Sequence, residues 1–185
     1  VSHEPRHSPA AKQHHASAPR RIGCAVITVS DTRTPDTDSG GDLLAELVAG
    51  AGHALVSREI VRDDAGEIRA ATLRALALEA CGAVLLTGGT GASPRDVTPE
   101  AVRPLLEREL PGFGELFRML SFHEIGPAAM LSRAFAGSRA GKAIFCLPGS
   151  PAAIRLALER LVLPELGHVV GEATKRAGQH GHARS

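Results

Sequence analysis

Tryptophan and tyrosine are absent from this 185-residue chain, and aromatic residues of any kind make up only 3% of it. With a formal net charge of +1 there is no basic surplus either, so both the stacking platforms and the cationic face of a dedicated nucleic-acid binder are missing. Cys24, Cys81 and Cys146 lie far apart, each within an apolar stretch. No CxxC spacing exists for a metal knuckle or a redox pair, and buried free thiols of a reducing compartment are expected. No apolar run approaches the roughly eighteen residues that span a bilayer, and the N-terminus lacks the apolar core of a signal peptide. No membrane partner is expected, and the cytoplasm is the default location.

Hydrophobic residues at 43% and charged residues at 22% describe a globular domain of ordinary size. Residues 1–20 carry Pro5, Pro9 and Pro19 with His3, His7, His14 and His15 and almost nothing that could pack. They read as a disordered extension whose histidines have no fixed geometry for a metal. Residues 21–170 are expected to form the folded domain, and 171–185 a polar tail.

Strand and helix patterns alternate through the domain. Ile22 to Val29 has the β-branched content and length of a buried strand, ending at Ser30-Asp31-Thr32-Arg33, a quartet that reads most simply as an Asx-type turn. A helix with Leu43, Leu44, Leu47 and Val48 on one face follows, stopped at Gly52. Ala54 to Val61 is a second strand running into Arg62-Asp63-Asp64, then a helix from about Gly66 to Ala80. Asp63 and Asp64 either cap that helix, or Asp63 reaches the same strand-end crevice as Asp96; position alone does not separate the two. Val84 to Leu86 is a third strand, Pro127 to Phe135 a short helix, Ala143 to Leu147 a last strand, and Ile154 to Leu166 an apolar-faced helix. The pattern predicts an α/β fold with a mainly parallel sheet.

Between the third strand and the next helix lies Thr87-Gly88-Gly89-Thr90-Gly91, followed by Arg95-Asp96. Glycines and hydroxyls at a strand end let backbone N–H groups converge on an anion or a flat polar ligand. Thr98-Pro99-Glu100 is expected to open a helix with Thr98 as its N-cap. The design recurs at Pro148-Gly149-Ser150-Pro151, where Ser150 reads as an N-cap. In parallel sheets ligands sit outside the carboxyl ends of strands, so one ligand touching all three strand ends is the economical reading. The run from Gly88 to Asp96 contains no Lys, which excludes a Walker phosphate loop. A dinucleotide fingerprint would follow the first strand rather than the third, and no G-x-S-x-G elbow occurs. What remains is a glycine and hydroxyl cradle with Asp63 and Asp96 as carboxylates, and Arg95, Arg118 and Arg133 as either anion partners or surface ion pairs. Carboxylates beside phosphates imply Mg²⁺, and phosphoryl or nucleotidyl transfer fits these parts.

Taken together, TVSDTR (28–33), LLTGGTGASPRDVTPEA (85–101), LPGFGELFRMLSFHEIG (110–126), LSR (131–133) and LPGSP (147–151) resemble the MoaB/MogA family of molybdenum cofactor biosynthesis proteins. FRMLSFHEIG points to the MoaB branch. The resemblance implies a three-layer α/β/α sandwich that binds molybdopterin and, in competent members, adenylylates it with Mg·ATP, releasing pyrophosphate. It places the catalytic aspartates, tentative Mg²⁺ ligands, on Asp63 and Asp96. Pterin and nucleotide contacts then fall on Ser30, Asp31, Thr87, Gly88, Gly89, Thr90, Gly91, Arg95, Ser132, Arg133, Pro148, Gly149 and Ser150. Homo-trimers or hexamers, and contacts with other proteins of the pathway, are also implied. Arg62 stands where many relatives carry Pro. Arg95-Asp96-Val97-Thr98-Pro99, altered in members without adenylyltransferase activity, is intact, so a competent enzyme is expected. The alternative is a carrier that holds molybdopterin without chemistry.

Overall fold

Strand β1, Gly23–Val29, is an unbroken apolar run because both of its faces are covered. Cys24 and Val26 point into one core and Ala25, Ile27 and Val29 into another, as the two-residue period of a strand requires. The computed structural model describes Pro19 and residues 21–175. The expectations for the N-terminal extension and for the end of the C-terminal tail lie outside the described residues.

After β1 come helix α1 (Ser39–Gly50), β2 (Ala54–Val61), α2 (Ala65–Ala77) and β3 (Ala83–Thr87). Helix α3 (Thr98–Val102), a 3₁₀ turn (Arg103–Leu105) and the two-residue strand β4 (Arg108–Glu109) lead to α4 (Pro111–Ile125). A second 3₁₀ stretch (Gly126–Leu131), β5 (Phe135–Arg139), β6 (Lys142–Leu147), α5 (Pro151–Ala157), a π-turn (Leu158–Val162) and α6 (Leu163–Thr174) complete the order. The six strands form one sheet in the order β2-β1-β3-β6-β5-β4. β2, β1, β3 and β6 run parallel, while β5 is antiparallel to both β6 and β4. Helices cover both faces, so the α/β class and mainly parallel sheet hold. α1, α4, α5 and α6 enclose one core, in which the Phe113 and Phe145 rings meet edge to face at 5.4 Å, and α2 and α3 enclose the other.

Three local expectations are corrected. The segment expected as a helix from Pro127 to Phe135 is a 3₁₀ stretch followed by β5, which returns as β6 through Ala140 and Gly141. Both residues have positive φ, the geometry a two-residue hairpin loop demands. The helix after Pro111 extends to Ile125. The last helix runs to Thr174, past Gly171, because Val162, Leu166 and Val170 continue a single buried stripe. Its π-turn precedes Pro164, which has no N–H to offer the ladder. Cys24, Cys81 and Cys146 are free and buried, and burial first, with the neighbouring Cys81 second, pushes the Cys24 thiol up to about 12. Among the described residues no helix is long and apolar enough to cross a membrane.

Candidate functional site

Because β2 and β3 pair with opposite sides of β1, the connections leaving β1 and β3 diverge, and a crevice opens between the two carboxyl ends. It has a volume of about 100 Å³ and is lined by Thr28, Ser30, Asp38, Gly40, Gly88 and Gly149 among others. Two of the three glycine-bearing or hydroxyl-bearing strand ends read from the sequence thus meet around it, and the third adds Gly149. Thr87 donates its hydroxyl to the Pro148 carbonyl at 3.0 Å, joining the ends of β3 and β6. Ser150 caps α5 as expected, accepting from the Ala153 N–H at 3.3 Å.

The glycine turn has a specific reason at each position. Gly88 has φ +102°, and a Cβ there would stand 2.2 Å from the Val29 carbonyl oxygen of β1. Gly89, also at positive φ, would place a Cβ 2.4 Å from Thr98 Oγ1 and 2.8 Å from Asp63 Oδ1, and Gly91 would place one 2.8 Å from Asp96 Oδ2. The second and third glycines therefore leave room for the two aspartates, which lie against the turn from different connections. Asp63 Oδ1 accepts from the Val97 N–H at 3.3 Å, and Asp96 Oδ2 from the Ser93 N–H at 3.0 Å. The ambiguity between Asp63 and Asp64 is resolved here. Asp64 caps α2 by accepting from the Glu67 N–H at 2.9 Å, which frees Asp63 for the site.

Thr98 is not the side-chain N-cap expected of it. Its hydroxyl donates to the Gly88 carbonyl at 2.9 Å and its N–H to the Gly89 carbonyl at 3.0 Å, since a buried turn of this kind must find donors for its carbonyls. Thr90 is buried, and its hydroxyl oxygen is the buried side-chain atom left without a partner among the described residues. Ser30 closes the β1 turn by accepting from the Thr32 and Arg33 N–H groups, both at 3.2 Å. Asp31 is thereby released to accept from the Asp63 N–H at 3.2 Å and from Arg95 at 2.9 Å.

The charges are coupled through this cluster. Partial burial, the largest influence, raises the Asp63 carboxyl above the ordinary aspartate range; the Asp96 and Asp31 charges act in the same sense, against the Val97 N–H and Arg95. Asp31 is held low by the Asp63 N–H first and Arg95 second. Among the described residues no group of three or more His, Cys, Asp or Glu forms a metal cage. Two carboxylates that repel each other beside an open crevice fit Mg²⁺, which is characteristically held by one or two carboxylates together with substrate phosphates.

Arg133 and Ser132 stand behind the turn. Arg133 donates from Nε to the Gly91 carbonyl at 2.7 Å, from its guanidinium to the Asp96 carbonyl and to Glu100, and from its N–H to the Thr90 carbonyl at 2.9 Å. It acts as a clamp on the loop that carries Asp96. Arg118 spends its guanidinium on the Ala134 and Ser132 carbonyls. Sequence reasoning missed Asp38, which is 1% exposed. Its carboxylate caps α1 through the Gly41 N–H at 2.9 Å and accepts from Thr28 Oγ1 at 2.9 Å and Arg58 at 2.7 Å. Burial alone would raise its pKa, but the bonds from Arg58, Gly41 and Thr28 outweigh it and hold the group low. The available signal was an Asp directly before Ser39-Gly40-Gly41, a helix-start pattern.

The family model of the probable molybdopterin binding domain matches residues 25–168. Molybdenum cofactor biosynthesis protein B of Halalkalibacterium halodurans is 50% identical over 165 residues, 89% of this chain and 97% of that protein. A crystal structure of molybdenum cofactor biosynthesis protein B superposes with a TM-score of 0.83 at 50% identity, covering 86% of this chain and 100% of the other. The tungsten cofactor synthesizing protein MoaB from Pyrococcus furiosus superposes with a TM-score of 0.77 at 36% identity, covering 85% of this chain and 100% of its own.

Proposed function

Because the chain belongs to the MoaB/MogA family of molybdenum cofactor biosynthesis proteins, we propose that its site binds molybdopterin and transfers to it the adenylyl group of ATP. The observation that carries this reading is the convergence of Asp63 and Asp96 on Gly89 and Gly91. A passive pterin cradle has no need for a second carboxylate whose charge opposes the ionisation of Asp63. An adenylyl transfer does, because it brings further negative phosphates to the same place.

In this reading the terminal phosphate of molybdopterin attacks the α-phosphorus of ATP in line, and pyrophosphate leaves. No side-chain nucleophile is required, and catalysis rests on positioning and charge neutralisation. N–H groups of the turn from Gly89 to Gly91 hold phosphate oxygens, the Gly88 N–H being donated to the Leu147 carbonyl. Asp63 and Asp96 are the residues that would hold Mg²⁺, whose contribution when bound is to neutralise phosphate charge. The Arg133 clamp keeps the Asp96 loop in place, Arg95 stands at the exposed rim, and Ser30, Asp31, Thr87 and Pro148 to Ser150 frame the crevice.

Self-association is part of the proposal. Leu116, Met119, Phe122 and Ile125 recur every third residue along one exposed face of α4, continued by Met130 and Leu131. A contiguous apolar face of this kind marks an association surface, consistent with a homo-trimer or a hexamer. Other proteins of the pathway would receive the adenylylated pterin.

The test is to incubate the protein with molybdopterin and Mg·ATP and detect adenylylated pterin by mass spectrometry, with Asp96→Asn in parallel. Loss of rate on the order of a hundredfold or more with little change in pterin affinity is expected. Pterin held equally by both proteins with no product from either would replace the transferase with a non-catalytic carrier.

A further inference from the structure

A groove of about 640 Å³ lies along the end of β2, outside the crevice. Its volume is in the range of small-molecule sites, about 300–1,000 Å³. Asp63 and Asp96, the carboxylates of the reacting centre, line neither the groove nor the crevice. The groove is nonetheless joined to that centre. Asp31, one of its walls, accepts from the Asp63 N–H, and Ser30 and Arg33 line both the groove and the crevice.

Three arginines and three carboxylates line it, and their pairing is uneven. Of the three carboxylates along it, Asp31 is paired with Arg95, Glu59 with Arg74, and Glu67 accepts from the Arg62 N–H. Arg58 is taken by Asp38 and Asp42. Arg33 and Arg62 form no ion pair among the described residues. The Arg33 guanidinium donates to the Thr37 carbonyl at 2.9 Å and leaves its other N–H groups unused, and Arg62 contributes to the field that lowers Asp31. Two exposed guanidinia that form no ion pair among the described residues, on one groove that shares Ser30 and Arg33 with the crevice, call for an anion with more than one charge.

We propose that Arg33 and Arg62 form a polyphosphate subsite that receives the β- and γ-phosphates of the nucleotide and then the departing pyrophosphate. The inference rests on the adenylyl-transfer reading. In that transfer a bond forms from the pterin phosphate oxygen to the α-phosphorus, while the bond from the α-phosphorus to the α,β-bridging oxygen breaks. The electron pair of the broken bond stays on pyrophosphate, so negative charge develops on the side where Arg33 joins crevice to groove. Arg33 touches both spaces and is the positioning residue; Arg62 extends the subsite outwards.

The experiment is calorimetric titration with inorganic pyrophosphate in Mg²⁺-containing buffer, using the wild type, Arg33→Gln, Arg62→Gln and the double variant. Each single arginine variant is expected to weaken pyrophosphate binding on the order of tenfold, the double variant on the order of a hundredfold. Arg62→Gln should leave molybdopterin binding and the melting temperature unchanged. Arg62 makes no side-chain hydrogen bond within the described residues, so Arg62→Gln remains informative if Arg33→Gln disturbs its loop. Wild-type protein that does not bind pyrophosphate, or arginine variants that bind it as the wild type does, would overturn the subsite even where adenylylated pterin is made. Pyrophosphate binding lost with the arginines in a protein that makes no adenylylated pterin would uphold the subsite and reject the transferase.

Discussion

Gly88 and Gly91 sit three residues apart in one turn, yet an added methyl group should act on different properties of the protein. Gly91 does not have positive φ. In Gly91→Ala the new Cβ stands 2.8 Å from Asp96 Oδ2 and 3.3 Å from its Cγ, so the carboxylate must retreat by roughly half an ångström. That retreat gives up the bond from the Ser93 N–H, about 1 kcal/mol. It is offset by about 0.4–1 kcal/mol from the stiffer unfolded chain, which leaves stability nearly unchanged. Displacement of a reacting-centre group by such a distance should still cost roughly 10- to 100-fold in rate. In Gly88→Ala the Cβ meets the Val29 carbonyl oxygen at 2.2 Å with φ at +102°, and that carbonyl is held within β1. The expected loss is roughly 3 kcal/mol or more, a fall in Tm of about 6–12 °C. Thermal melts and the adenylylation assay, run on both variants, separate the two effects. Gly91→Ala turning over at the wild-type rate would refute the argument that this glycine makes room for a working Asp96. A melting temperature as low as that of Gly88→Ala would show that Gly91 serves the turn instead.

Asp38→Ala leaves the Thr28 hydroxyl, the Gly41 N–H and the Arg58 guanidinium unpaired at once, and should cost about 3–5 kcal/mol in urea unfolding. Asp38→Asn, which keeps an acceptor for the cap, should lose less. Because the folded-state pKa of Asp38 is lowered, its stabilisation is present above the ordinary aspartate value of 3.8 and lost as pH falls through the lowered one; the gap between wild type and Asp38→Ala should close there. Asp63 has the opposite sign. Its raised pKa means that the ionised form costs stability at neutral pH, so Asp63→Asn should melt higher than the wild type at pH 7, with the gain vanishing below 3.8, and should lose turnover. A variant that melts lower at pH 7 would contradict the burial and charge crowding assigned to this group. Phe122→Glu on the exposed α4 face should shift the protein to smaller species in light scattering while leaving the monomer's melting cooperative.

Much of the fold is legible along the chain because the parallel strands are covered on both faces. That condition writes β1, β3 and β6 as short apolar runs bounded by polar turns, and the helices between them keep a helical period. The antiparallel edge is not legible in the same way. β5 reads Phe-Ala-Gly-Ser-Arg, and Gly137 is there because a Cβ would stand 2.5 Å from the Arg108 carbonyl of β4, a contact between residues far apart in sequence. Its two-residue hairpin loop has the usual Gly at its second position, Gly141, but Ala140 at the first, where Asn, Asp or Gly usually announces such a loop.

The site divides along the same line. The order of glycines, hydroxyls and carboxylates at strand ends is local information, because a strand end, a turn and a helix start each impose their own residue preferences. The sequence alone therefore determined the α/β class, the glycine turn and the presence of Asp96 close after it. Whether Asp63 or Asp64 faces the turn, that Thr98 and Arg133 hold loop carbonyls, that Asp38 is a buried anchor, and that Arg33 and Arg62 form no ion pair among the described residues were decided only by tertiary structure. Each depends on which groups from distant segments arrive within hydrogen-bonding reach, and that is set by the order and register of the strands in the sheet rather than by neighbours along the chain.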